Sequence, residues 1–193
     1  MAATAYQTTT AEKVTPTLTW TTPAAISYGT ALSGTQLDAM PSVSGGTFTY
    51  TPASGAILTV GTQTLSVTYK ATPTTGYNEA TASVQLVVNP AATVTTITSA
   101  DASIKLNKAG SASTTVRYNV TSYKPTGSVM LTATTGETCT GTVASGTGNG
   151  SCILTFTTTG TRTINASYSG DANHTASNNS GQTPAITVTV APY

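Results

Sequence analysis

One short tract carries the side-chain types of a hydrolase. Ser169, Asp171, His174 and Ser177 all fall within SGDANHTAS. Acyl transfer by such a set needs a nucleophile, a base and an orienting acid converging in one pocket. Here the four sit in a single turn between strands, and no G-x-S-x-G elbow presents a serine. The tract therefore reads as an Asp/Asn-rich turn whose side chains bond the local backbone. His174 is expected half-buried, at the place Tyr77 takes earlier in the chain. The chain is read as non-catalytic, with no catalytic residue and no cofactor.

Cys139 and Cys152, the two cysteines, enclose TGTVASGTGNGS. A Gly-rich spacer makes a hairpin tip, and antiparallel neighbours across a hairpin can reach disulfide geometry. A Cys139–Cys152 bond is expected, and with it an oxidising compartment. The alternatives are two buried free thiols or half of a metal site. Zinc needs four ligands, and His174 is the one histidine. The six acids, Glu12, Asp38, Glu79, Asp101, Glu137 and Asp171, are dispersed. Calcium asks for clustered oxygens, which leaves an arrangement assembled around Asp101 as the one that could hold it. No metal site is expected. An isopeptide bond would need a core lysine beside Asn and an acid, and Lys70 stands at a strand end. The sequons at Asn119, Asn165, Asn173 and Asn178 are about as many as chance supplies in so Ser/Thr-rich a chain.

The elements that position these residues follow from composition and period. Of 193 residues, 47 are Thr and 19 are Ser, while 7% are charged. An average soluble domain has roughly 25% charged residues. Thr is β-branched and suits a pleated surface that hydroxyls can wet. A regular Thr grid of the ice-binding kind is not expected, because the threonines are spread over all strands and turns. Lys105 and Lys108 are not flanked by aromatics, so the basic stripe of nucleic-acid binding is missing. No apolar run reaches the ~20 residues of a membrane helix. The start, MAATAYQTTTAEK, lacks the basic and apolar regions of a signal peptide.

From Thr17 onward apolar residues alternate with polar ones. Leu65, Val67 and Tyr69 share one face, as do Val84, Leu86 and Val88, and Val116, Tyr118 and Val120. Turn signals recur between such runs, the pattern of an all-β sandwich. GTQTLSVTY at 61–69 returns as GTRTINASY at 160–168, an offset of 99 residues. That offset is one sandwich domain, too long for a solenoid repeat. The expected fold is all-β, two tandem Ig-like antiparallel β-sandwiches. Residues 1–15 form an extended arm or linker, 16–90 the first domain and 91–193 the second.

TLTWTTPAAISYGTALSGTQLDA, with FTYTPASGAILTVGTQTLSVTY and GYNEATASVQLVV, resembles the bacterial Ig-like repeats of secreted and surface proteins. CILTFTTTGTRTINASYSGDANHTAS resembles a second bacterial Ig-like subtype. The resemblance implies an extracellular or cell-surface spacer or adhesive module, whose partners are neighbouring Ig-like domains, copies of itself or surface glycans. It departs from antibody-type domains, because Trp20 and the cysteines lie in different halves, so no cysteine pair with a Trp spans the two sheets of one domain. A second reading is a self-assembling subunit of a filament or virion. Its arm would lend a strand to a neighbour, with Tyr6 and Val14 filling pockets there. A weaker third is carbohydrate binding through Tyr28, Tyr77 or Tyr123. Neither nucleic acid nor membrane insertion is expected.

Overall fold

The computed structural model describes residues 12–193 and contains strands but no helix among them. Tyr6 lies outside the described residues. The chain divides into two compact units. Of the described residues, one comprises 12–26 and 30–88, and the other 27–29 and 89–193.

The first unit contains β1 (Leu18–Thr19), β2 (Ile26–Ser27), β3 (Met40–Pro41), β4 (Gly46–Thr51), β5 (Gly61–Ala71) and β6 (Ala80–Asn89). A four-stranded sheet runs β2-β6-β5-β4, and β1 pairs with β3 in a second sheet. The alternation read from sequence sets the faces of the long strands. Leu65, Val67 and Tyr69 point inward, while Thr64, Ser66 and Lys70 are exposed. Leu32, Leu65 and Leu86 form the buried centre, with Trp20, Leu37 and Leu58 packed on them. Burying each such side chain stabilises the fold by roughly 1.5–3 kcal/mol. Trp20 turns inward beyond β1. Its indole N–H donates to the Gln36 carbonyl at 3.0 Å, and its ring meets Tyr50 edge-on at 5.4 Å.

The second unit is the fuller sandwich. Its strands are β7 (Val94–Ser99), β8 (Ser103–Lys105), β9 (Ala112–Thr121), β10 (Ser128–Ala133), β11 (Thr138–Thr142), β12 (Asn149–Phe156), β13 (Gly160–Tyr168), β14 (Ser177–Asn178) and β15 (Thr187–Ala191). One sheet runs β12-β9-β7 and the other β11-β10-β13-β15-β8, with β14 beside β13. Val116, Tyr118, Leu131, Leu154, Phe156, Ile164 and Tyr168 fill the space between, each at most 1% exposed.

Two features differ from the sequence expectation. First, β15 and β8 pair in parallel, where an antiparallel sandwich is expected. The cause is a change of sheet. β7 and β8 are successive stretches of one chain, and the step between them is held by Asp101. The buried Thr114 hydroxyl donates to its carboxylate at 2.8 Å and accepts its N–H at 3.2 Å. Asp101 is thus committed within the fold. Second, the cysteines are bonded, with Cα atoms 6.0 Å apart, but they are not hairpin neighbours. Cys139 is on β11, which pairs with β10, and Cys152 is on β12, which pairs with β9. The bond therefore joins the two sheets, where the sequence reading placed both cysteines across one hairpin. The spacer crosses from one layer to the other where a hairpin would have stayed within one. Gly141 and Gly150 permit the close crossing. A Cβ on the first would lie 2.3 Å from the Ser151 carbonyl oxygen, and one on the second 2.4 Å from that of Thr142.

The echo strands carry one local design. Gly61 and Gly160 both have positive φ (117° and 122°). Two residues later a long polar side chain reaches back four positions. Gln63 Nε2 donates to the Thr59 carbonyl and hydroxyl, and Arg162 Nη2 donates to those of Thr158. Each strand then reaches a tyrosine whose hydroxyl donates to a loop carbonyl. Tyr69 donates to Val43 at 3.0 Å, and Tyr168 to Thr126 at 2.7 Å.

The cross-sheet bond makes a stability prediction. Reduction, or replacement of both cysteines by Ala, should lower the urea-unfolding free energy of the second unit by about 3 kcal/mol. The first unit, followed through Trp20 fluorescence, should be unchanged. An equal loss in both would contradict this assignment.

Candidate functional site

The Ser169–Ser177 tract folds as the turn leaving β13. Gly170, at φ 84°, lets the chain double back; a Cβ there would stand 2.7 Å from the His174 carbonyl oxygen. Asp171 and His174 then form an antiparallel bridge. Asp171 Oδ1 accepts the Asn173 N–H at 2.8 Å and faces His174 Nδ1 at 2.7 Å. Its Oδ2 accepts both the N–H and the hydroxyl of Thr126, at 2.9 and 2.7 Å. On the far side of the ring, Nε2–H donates to the Tyr123 carbonyl at 2.8 Å.

Electrostatics follow the geometry. Burial works to raise the Asp171 pKa, but the hydrogen bonds from Thr126, Asn173 and His174 outweigh it. Together they hold the carboxyl well below the usual carboxylate range. Beside it, burial and then the Asp171 charge push the Tyr168 phenol up to about 12.

The arrangement clamps loops and does not present a nucleophile. Both ring nitrogens of His174 are occupied by oxygen partners. The Ser169 hydroxyl donates to the Gly170 carbonyl, and the Ser177 hydroxyl bonds Thr93 and Thr95. His174 is 4% exposed, so it is fully buried where the sequence suggested half-burial. The reason lies in its cover. Tyr28, on a short segment grouped with the second unit, meets the imidazole edge-on at 5.2 Å and Tyr123 at 5.6 Å. The turn also receives the start of the second unit: the Ala91 N–H donates to Asn173 O, and Thr175 N–H to Ala91 O.

Of the three candidate ligand-contact tyrosines, the structure thus brings Tyr28 and Tyr123 together. Tyr77 lies in the first unit, where it forms a parallel bridge with Val14. Val14 is 60% exposed at its side chain, while its backbone bonds Gly76 and Asn78. Among the described residues no three His, Cys, Asp or Glu gather as a metal site would require.

Several polar residues central to the fold escaped the sequence reading. Gln182 meets both the N–H and C=O of Ile97 with its side-chain amide, standing in for a strand partner of β7. Asn179, 8% exposed, accepts the Ala166 N–H at 2.8 Å. Only Arg162 left a signal, since it occupies the position of Gln63 in the echo.

No family model and no curated protein matches the sequence. Among solved structures, fibronectin(III)-like modules of Clostridium thermocellum CbhA overlay with a TM-score of 0.37 at 12% identity, covering 92% of this chain and 94% of that one. Bacteroides ovatus SGBP-B of a mixed-linkage glucan utilization locus, in complex with a mixed-linkage heptasaccharide, overlays with a TM-score of 0.29 at 15% identity. That overlay covers 93% of this chain and 48% of the other. Both overlays are loose, and the β-sandwich fold stands on the strand pairing itself.

The clamp predicts a pH-dependent loss. Asp171→Asn should cost about 2 kcal/mol at pH 7, since it removes a half-buried charged acceptor of hydrogen bonds from Thr126 and Asn173. The folded-state pKa lies below the usual carboxylate value of 3.8. The carboxylate's contribution is therefore complete above that value and fades as pH falls below it. Urea unfolding of both proteins from pH 7 to pH 2 should show the gap closing in acid. A gap constant with pH would refute the account.

Proposed function

We propose that this chain is a non-catalytic structural and adhesive module of an extracellular or cell-surface protein, built like the bacterial Ig-like repeats its sequence resembles. In this reading residues 1–15 lead into the modules 16–90 and 91–193. The cross-sheet disulfide is the observation that carries it, because such a bond persists in oxidising compartments. The outward faces fit the same role. On the first unit, paired rows such as Thr49–Thr68–Thr81 and Thr51–Ser66–Ser83 offer hydroxyls and no charge. Among the described residues no buried side-chain N or O lacks a partner, so each strand network can resist unfolding without a bound group. Partners would be neighbouring modules, copies of the chain, or surface glycans.

One observation favours assembly as the second reading. Among the described residues β4 pairs only with β5, which leaves the outer edge of GTFTYT without a strand partner there. That edge carries none of the lysines that natural edge strands use against pairing. A strand from another copy could add there, and the N-terminal arm is the donor we favour.

Negative-stain electron microscopy of the full chain and of a chain lacking residues 1–15 tests both readings. Dispersed particles from both proteins are expected for the spacer. Filaments from the full chain that vanish on deletion would establish assembly through the arm. Filaments that survive deletion would remove the arm from the account.

A further inference from the structure

β7, β9 and β12 together carry a single charged side chain, Arg117. It stands on the central strand of their sheet and points outward. Ser151 of β12 is its partner on one side and Ser99 of β7 on the other. The β7 register slips between Ile97 and Ser99, so Thr98 is an extra residue at this spot. Bulges of this kind re-aim side chains at sites. Beside Ser151, Gly150 contributes no side chain. The result is a cleft of about 360 Å3 lined by Thr98, Arg117, Tyr118, Asn149, Gly150 and Ser151.

The polar groups in this cleft are unspent. Among the described residues the Arg117 guanidinium has no ion-pair or hydrogen-bond partner, and neither do the hydroxyls of Thr98 and Ser151. Asn149 accepts from Asn119 through Oδ1, and its Nδ2 makes no bond. The other cations of this unit contrast with Arg117 where they are engaged. Arg162 is buried among oxygens, and Lys124 lies over the Tyr123 ring. No acid lines the cleft.

We propose that this cleft binds a carboxylate-bearing saccharide, a hexuronate unit of an acidic glycan. The planar guanidinium fork donates two parallel hydrogen bonds to a carboxylate. Ring hydroxyls both donate and accept, so they pair with Thr98, Ser151 and the Asn149 amide. A volume near the lower end of ordinary ligand sites, ~300 Å3, suits one or two sugar rings. A peptide carboxylate fits less well, because its neighbouring side chains would find few apolar walls. The inference names a ligand class for the glycan partner of the adhesive reading. It stands apart from assembly, since Arg117 is on neither the arm nor the β4 edge.

Titration of the intact 15N-labelled chain with trigalacturonate, cellotriose and sodium acetate, followed by amide NMR, tests it. Trigalacturonate should give saturable shifts at Thr98, Arg117 and Ser151, weakening with added salt. Arg117→Gln should reduce that affinity about tenfold, the effect of one charge-assisted contact. Thr98→Val, which keeps the charge, should weaken it severalfold and serves if the first variant misfolds. Cellotriose and acetate should leave these amides in place at the same concentration. The proposal falls if trigalacturonate gives no saturable shift, or if affinity is unchanged in both variants. It also falls if acetate binds as tightly, which would mark a bare anion site. None of these outcomes bears on whether the chain forms filaments.

Discussion

Thr126 is the node on which the second sandwich turns. Its carbonyl accepts the Tyr168 hydroxyl, while its N–H and hydroxyl both donate to Asp171. Tyr168 ends β13, which lies between β10 and β15 in the larger sheet. Asp171 opens the turn that holds His174, and His174 reaches the Tyr123 carbonyl. One loop residue thus ties the last residue of an interior strand to a half-buried acid and, through it, to a second loop. A buried polar group left without a partner costs about 1–3 kcal/mol. Every member of this chain has a partner, so removing one exposes that cost in its neighbours.

The same demand explains how a chain with so few charges stays ordered. Where other domains use ion pairs, this one uses neutral oxygens. Buried Thr114 locks the change of sheet at Asp101, and Gln36 binds the Ser33 N–H through its side-chain carbonyl. Arg162 is the extreme case. It is 2% exposed with no carboxylate beside it, and its nitrogens are taken up by Thr158, Gly160 and Thr135, with Phe156 beneath. Isolated buried charges are expensive. This one is held because its fixed fork meets several oxygens that already converge at the turn before β13.

What could be read from sequence divides by range. Alternation in β5, β6 and β9 placed the core faces correctly, because a strand's period of two is local information. The echo located equivalent strands because its glycine with positive φ, its reach-back side chain and its terminal tyrosine all lie within nine residues, although the carbonyls that the tyrosines bond are far away in sequence. The cysteine pair was legible as a pair but not as a cross-sheet bond. Spacing gives loop length, and it does not say whether the loop stays in one layer. Gln182 and Asn179 left no trace, since their partners on β7 and β13 are brought near only by the completed fold. The candidate ligand tyrosines scattered for a like reason. Tyr28 joined Tyr123 over His174, and no local pattern foretells that meeting.

A surface that is nearly all hydroxyl has a consequence for recognition. Thr and Ser rows are well hydrated and interchangeable, so a partner gains little by choosing one row over another. Discrimination then falls to positions where the pattern breaks. On the sheet of β7, β9 and β12 the break is Arg117, flanked by a bulge and a glycine and set among hydroxyls with no acid to neutralise it. On β4 it is the open edge, where Phe48 is 36% exposed and no charge guards the backbone. These two places differ from their surroundings in ways a ligand or a second chain can sense. The Asp171–His174 pair differs chemically too, but its imidazole is buried and both partners are spent on loop contacts. Composition here confines function to exceptions, and the fold decides which exceptions face outward.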